Sequence, residues 1–244
     1  MLEKQVKSKQ RVADHGEVFT AQREVDAMCD LVKEETERID SRFLEPACGD
    51  GNFLATILKR KLVVVNKKYS RSPYDWERNS LLALGSLYGV DILLDNAIAC
   101  RKRLFVIWDN EYKTICKKEC FDETKEAAEF ILSRNIVCGN ALTMMCVDET
   151  GKDTSVPIVF SEWTFPFNDA RMQRKDYTFS ELMSATEQTA ELQESGQTCM
   201  FANANGEIEP TLLQQYISHY RLIYEQDPLW QKKQSNIKEN ENDG

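Results

Sequence analysis

RFLEPACGDGNFLATIL, residues 42–58, is the stretch from which the rest of this chain is read. It opens on a short apolar entry, Phe43-Leu44, followed by an acid, Glu45. A turn of small residues comes next, Cys48-Gly49-Asp50-Gly51-Asn52, and then an apolar run at helical spacing, Phe53, Leu54, Ile57 and Leu58. Strand, tight turn and helix in that order are how an α/β fold presents a helix N-terminus to a ligand. Gly49 and Gly51 let the backbone turn sharply and leave room for a group lying against it. The motif is shorter than the dinucleotide fingerprint and lacks the Gly-Lys-Ser/Thr of a phosphate loop. The residue types alone therefore leave open an ordinary strand–turn–helix corner.

Upstream, residues 1–16 are polar and basic and read as a flexible arm or the start of a helix. Thr20 is a candidate N-cap for QREVDAMCDLVKEE, where Val25, Met28, Cys29 and Val32 form a helical stripe. Residues 1–41 are thus an N-terminal arm and helix. Downstream, helix 53–60 gives way to Leu62–Val65, which suits either a strand or a continuation of that helix. A loop over 66–76 and a helix over 77–87 lead to Leu87–Ile92, a second buried strand ending in Asp91. A carboxylate there can accept both hydroxyls of a ribose or cap the next helix. That helix begins near Leu94, and 105–132 carries one or two more. Asn135–Ala141 reads as a third strand, 145–157 as a loop built on Gly151, and Pro157–Ser161 as a fourth strand. Strands separated by helical patterns predict a mostly parallel sheet with crossovers. Beyond Phe167, residues 168–230 read as mainly helical, with Leu212, Tyr216, His219, Tyr220 and Ile223 at helical spacing, and 231–244 as a disordered tail.

The 244 residues carry a formal net charge of -9, which disfavours gripping duplex nucleic acid by bulk electrostatics. No apolar run reaches membrane-spanning length, and the polar start MLEKQVKSKQR is not expected to act as a signal peptide. The eight cysteines are scattered, so reduced thiols in a cytoplasmic protein are expected. Cys116 and Cys120 form the one close pair, and with two histidines in the chain no metal site is expected.

Four blocks, GEVFTAQREVDAM, FLEPACGDGNFL, LYGVDILLDNAIACRKRLF and NIVCGNAL, together resemble the adenine-N6 DNA methyltransferases of restriction–modification systems. The resemblance spans residues 16–167. It implies a class I, Rossmann-like methyltransferase core over 42–167 that binds S-adenosyl-L-methionine. By the same resemblance, Phe19 and Thr20 would border the methionine end of the cofactor. Glu45, Ala47, Gly49 and Gly51 would form the wall and floor under methionine and ribose. Asp91 would take the ribose hydroxyls, Ile92 would pack on adenine, and Asn140 and Ala141 would approach its edge. The family more often has Asp at Asn140 and Pro at Ala21.

A larger departure follows the fourth strand. The family places Asn/Asp-Pro-Pro-Tyr/Phe there, to accept hydrogen bonds from the target amino group and to stack on a flipped adenine. This chain has Ser161-Glu162-Trp163-Thr164-Phe165-Pro166-Phe167 instead. Ser161 or Glu162 could accept the hydrogen bond and Trp163 or Phe165 could stack, or Trp163 and Phe165 could pack a core edge with methyl-transfer geometry lost. The second half is also short for the family, which implies a truncated sheet completed by a protein partner or by self-association. Two functions lead, beside a third reading, methyl transfer to another substrate. One is methyl transfer to adenine N6 in DNA, alone or as a subunit, which would need positioning rather than a metal or nucleophilic cysteine. The other is a catalytically inactive methyltransferase-like protein acting as a partner-binding or regulatory component.

Overall fold

The computed structural model describes residues 20–195, 207–228 and 230–231, together with Arg11. Phe19, most of the N-terminal arm and the tail from residue 232 onward lie outside the described residues. The fold is α/β. Helix α1 (Gln22–Leu31) and a single turn, α2 (Lys33–Thr36), precede β1 (Phe43–Glu45). Helices α3 (Asn52–Tyr69) and α4 (Pro73–Gly85) lead to β2 (Leu87–Asp91), and α5 (Leu94–Cys116) and α6 (Asp122–Asn135) lead to β3 (Ile136–Asn140). Leu58, Leu62 and Val65 are buried while Val63 is exposed, a helical and not an alternating pattern. Leu62–Val65 therefore continues α3. Thr20 does not cap α1: Ala21 holds the N-cap position without a side-chain bond.

β1, β2 and β3 are parallel neighbours, with Phe43 beside Leu87 and Asp91 beside Cys138. That register brings Glu45, Asp91 and Asn140 to one end of the sheet. The loop expected over 145–157 is instead a hairpin, β4 (Met145–Val147) and β5 (Asp153–Pro157), which extends the sheet antiparallel to β3. Its turn is closed by Asp148, whose carboxylate accepts from the Thr150 and Lys152 backbone N–H groups at 2.8 and 3.1 Å.

The expected fourth parallel strand does not join this sheet. β6 (Val159–Thr164) starts a separate antiparallel sheet with β7 (Arg171–Thr178) and β8 (Gln214–His219), and helix α7 (Phe179–Ser195) follows β7. β6 runs backward across one face of the parallel sheet. Ile158 lies against Gly139, Phe160 meets the Tyr88 ring at 5.3 Å, and Trp163 abuts Gly85, the last residue of α4. The Tyr88 hydroxyl donates to the Ser161 carbonyl at 3.2 Å, and Ser161 N–H donates to the Asn135 side chain at 3.1 Å. On the opposite face Gly89 packs against Leu54 of α3.

Among the described residues of 168–230, helix α7 is the longest element, but two strands, β7 and β8, stand where helix or loop was expected. β7 escapes a hydrophobicity reading because its inward positions include Arg174 and Asp176, both buried and paired at 2.6 Å. In β8 the aromatic spacing is that of a strand: Tyr216 faces inward, where the Arg174 guanidinium lies 4.8 Å from its ring. The 3-10 turn that follows, Tyr220–Leu222, is held by buried Glu77 of α4, which accepts from Arg221 at 2.7 Å.

Gly51 adopts φ +85°, and a Cβ there would fall 2.6 Å from the Cys100 sulfur. Gly51→Ala is expected to lower stability by about 2–4 kcal/mol, from left-handed strain and overpacking together. Gly151, at φ +78° with nothing within 4 Å, is the control, and Gly151→Ala should lose only about 1–2 kcal/mol. Urea unfolding of the two variants checks the difference; equal losses would show that the Cys100 contact does not constrain the turn.

Candidate functional site

A cavity of about 470 Å³ opens at the C-terminal ends of β1, β2 and β3, within the roughly 300–1,000 Å³ of small-molecule sites. Its floor is the turn between β1 and α3. Gly49 takes φ +53° and Gly51 φ +85°, and Gly51 N–H closes the turn on the Cys48 carbonyl at 2.8 Å. The turn is also tied to β2, where Cys48 N–H donates to the Val90 carbonyl at 2.9 Å.

Asp91 completes that tie. It is buried, and one carboxylate oxygen accepts Gly49 N–H at 2.9 Å. The other accepts Leu93 N–H at 2.9 Å and the Asn96 side-chain amide at 3.2 Å. The aspartate thus holds the glycine turn and the start of α5 in one frame. A carboxylate offers about four lone-pair sites, so three of them are engaged within the protein.

Glu45, at the end of β1, is engaged differently. Its carboxylate meets Ala47 N–H at a long 3.4 Å and otherwise lines the cavity. Burial holds its pKa above the ordinary value, with the Ala47 contact only partly offsetting. Opposite in sign is the N-terminus of α3, where Asn52 and Phe53 line the cavity and the first turn contains no acid. Its unpaired N–H groups and helix dipole make that end positive. Asn52 also donates to the Thr20 carbonyl at 2.9 Å, anchoring the segment before α1 at the rim.

Eight of the residues expected to bind a cofactor line this one cavity: Thr20, Glu45, Ala47, Gly49, Asp91, Ile92, Asn140 and Ala141. Asn140 is held rather than free, donating to Asp153 and accepting Leu142 N–H, both at 3.0 Å. Gly51 stands behind the cavity, where its role is the close approach to Cys100. Phe19 is outside the described residues. Asn96 and Leu142 line the site without having been singled out from sequence. For Asn96 a signal exists: it falls five positions after a strand-ending aspartate, in the first turn of the next helix.

Ser161, Glu162 and Trp163 are not brought to this cavity. Ser161 is fully buried, its hydroxyl donating to Asp176 at 2.6 Å. Trp163 is buried against Gly85 and edge-on to Phe130, and its indole N–H has no partner among the described residues. Glu162 pairs with Arg42 at 3.2 Å. Glu162 and Trp163 border a second cavity of about 690 Å³, lined also by Phe43, Ser86 and Arg38. That cavity is at the N-terminal end of the parallel strands. The run from Ser86 to Asp91 separates the two by about 16 Å at ~3.3 Å per residue. No family model matches this chain, and neither does any curated protein or solved structure.

The raised Glu45 pKa has a thermodynamic sign. The folded state holds this proton more tightly than the unfolded chain, so the contribution to stability is fully present below the unfolded value. It is lost as pH rises through the folded value. Glu45→Gln removes that loss and should make the protein more stable than wild type at pH 7, with the gain shrinking as pH falls from the raised folded value toward the ordinary glutamate value and gone below it. Urea midpoints across that range check it, and a glutamine variant no more stable at pH 7 would show that burial does not burden the carboxylate.

Proposed function

We propose that this protein is a methyltransferase-like S-adenosyl-L-methionine-binding component with a Rossmann-like core, and that a second protein supplies what methyl transfer to DNA would require. The observation that carries the reading is one cavity in which the Gly49 turn, locked by Asp91, stands between an under-paired acid and a positive helix end. S-adenosyl-L-methionine has the complementary charges. Its carboxylate suits the N-H groups at the start of α3, and its ammonium and sulfonium suit Glu45. The remaining lone pair of Asp91 suits one ribose hydroxyl, and Ile92, 37% exposed, offers adenine an apolar face.

The placement of Ser161 and Trp163 favours this over independent methyl transfer to adenine N6. Sulfonium methyl transfer needs acceptor and cofactor in line at near contact, and a buried serine and tryptophan at the far end of the strands supply no acceptor site beside Glu45. The net charge of -9 points the same way, since an acidic chain has little bulk attraction for duplex DNA.

Titration calorimetry with S-adenosyl-L-methionine tests the proposal. Wild type and Trp163→Phe should bind alike, because the indole lies outside the cavity. Glu45→Gln should bind roughly tenfold to a hundredfold more weakly, the cost of one hydrogen bond to a charged group. A folded protein that takes up no cofactor would sink the reading. Labelled cofactor with DNA should yield no transfer by this chain alone; transfer that Trp163→Phe abolishes would instead favour an autonomous adenine methyltransferase.

A further inference from the structure

Arg78, in the second turn of α4, is 8% exposed, yet among the described residues its guanidinium donates no hydrogen bond. Its Nε–H is closed off from the surface without a partner, whereas the terminal Nη groups are not closed off. The nearest acid, Asp75, stands at a loose 3.8 Å and is 42% exposed, so water screens the pair. A buried arginine is ordinarily matched by a carboxylate in its fork, as Arg174 is by Asp176 at 2.6 Å. Arg78 has rings against it instead. Its guanidinium lies 4.6 Å from the centre of Phe165 and 5.3 Å from that of Tyr74. Ring faces attract the charge but leave the in-plane N–H groups without acceptors.

The surroundings hold this group in place. Tyr220, fully buried, meets Tyr74 and Phe165 edge-on at 6.1 and 6.3 Å and donates its hydroxyl to Glu77. A guanidinium fixed against rings has given up its rotamer freedom before any partner arrives. Tyr74 and, in the turn between β6 and β7, Phe167 are 42% and 49% exposed. The Arg171 guanidinium lies 4.1 Å from the Phe167 ring and is itself matched by Asp169 at 2.7 Å. Tyrosine, phenylalanine and arginine side by side are the composition of protein interface centres.

We propose that Arg78 anchors a docking surface for a partner protein, which seats one aspartate or glutamate carboxylate on the open Nη edge and apolar side chains on Tyr74 and Phe167. Charge selects the occupant. With Arg171 and Asp169 cancelling, Arg78 faces only the loosely held Asp75, which leaves place for a single negative charge. A nucleic-acid strand would instead bring a charge at every nucleotide to a chain already at -9. Neither cavity described above includes Arg78, so a small free carboxylate would have one fork and no enclosure to hold it. The surface stands whether or not the cavity beside Glu45 takes a cofactor.

Selection from a random dodecapeptide library on the full chain, with no cofactor present, tests this. Enriched peptides should share one acid flanked by aromatic or aliphatic residues. A synthetic copy should bind about tenfold more weakly to Arg78→Lys, which keeps the charge but not the planar fork, and to Phe167→Ala. Changing the peptide's acid to its amide should weaken binding to wild type by about the same factor yet leave binding to Arg78→Lys unchanged, the coupling that a direct contact requires. Phe167 is exposed, so its variant should keep the wild-type unfolding midpoint by circular dichroism and reads the surface even where Arg78→Lys lowers stability. Peptides without a shared acid, an acid effect of equal size in Arg78→Lys, or an oligothymidylate that binds through Arg78 would overturn the proposal.

Discussion

One carboxylate holds the cavity end of the parallel sheet together. Asp91 closes β2, reaches across to Gly49 N–H and takes up Leu93 N–H at the start of α5. Without it a buried turn donor and a helix-entry donor lose their acceptor, each omission costing about 1–3 kcal/mol. With it, the turn is fixed against β2, and Glu45 and the α3 N-terminus are held around one space. A fixed turn keeps the cavity preformed rather than leaving a loop that would have to order around any ligand.

The second constraint is how the faces of the parallel sheet are covered. α3 covers one face, whereas β6 crosses the other, antiparallel to the strands beneath it. Tyr88, Val90, Ile158, Phe160 and Phe179 form the apolar layer between the two sheets. Behind β6, Arg174 and Arg134 share Asp176 and Asp227, with Ser161 bonded into the same group. Buried ion pairs add little net stability, but removing one partner strands the others and costs about 3–5 kcal/mol. Ser161 is therefore held by structural bonds, and that is what takes it out of reach of the cavity.

The strand–turn–helix at 42–58 and the acid at the end of β2 were legible because each is a local pattern: period, turn chemistry and a capping residue. Eight expected residues converge on one cavity for the same reason, since parallel strands of matched register deliver their C-terminal ends together. β7 was illegible because its buried positions are Arg174 and Asp176, which carry no apolar alternation. β8 was read as a helix because Tyr216, His219 and Tyr220 fit a spacing of three to four, although only the strand places Tyr216 on Arg174. The hairpin at 145–157 hid behind Asp148 and Gly151, turn residues whose flanking strands are short and half-exposed.

What residues 42–58 determined by themselves is a glycine turn that enters a helix and can face a ligand, because left-handed φ values and helical periodicity are properties of neighbouring residues. Where the chain after β3 would run was decided only in three dimensions. Whether β6 extends the sheet or crosses its face depends on pairs far apart in sequence, Tyr88 with Ser161, Asn135 with Ser161 and Gly85 with Trp163. No local pattern encodes those contacts, since each exists only once the surfaces that make it have been brought together.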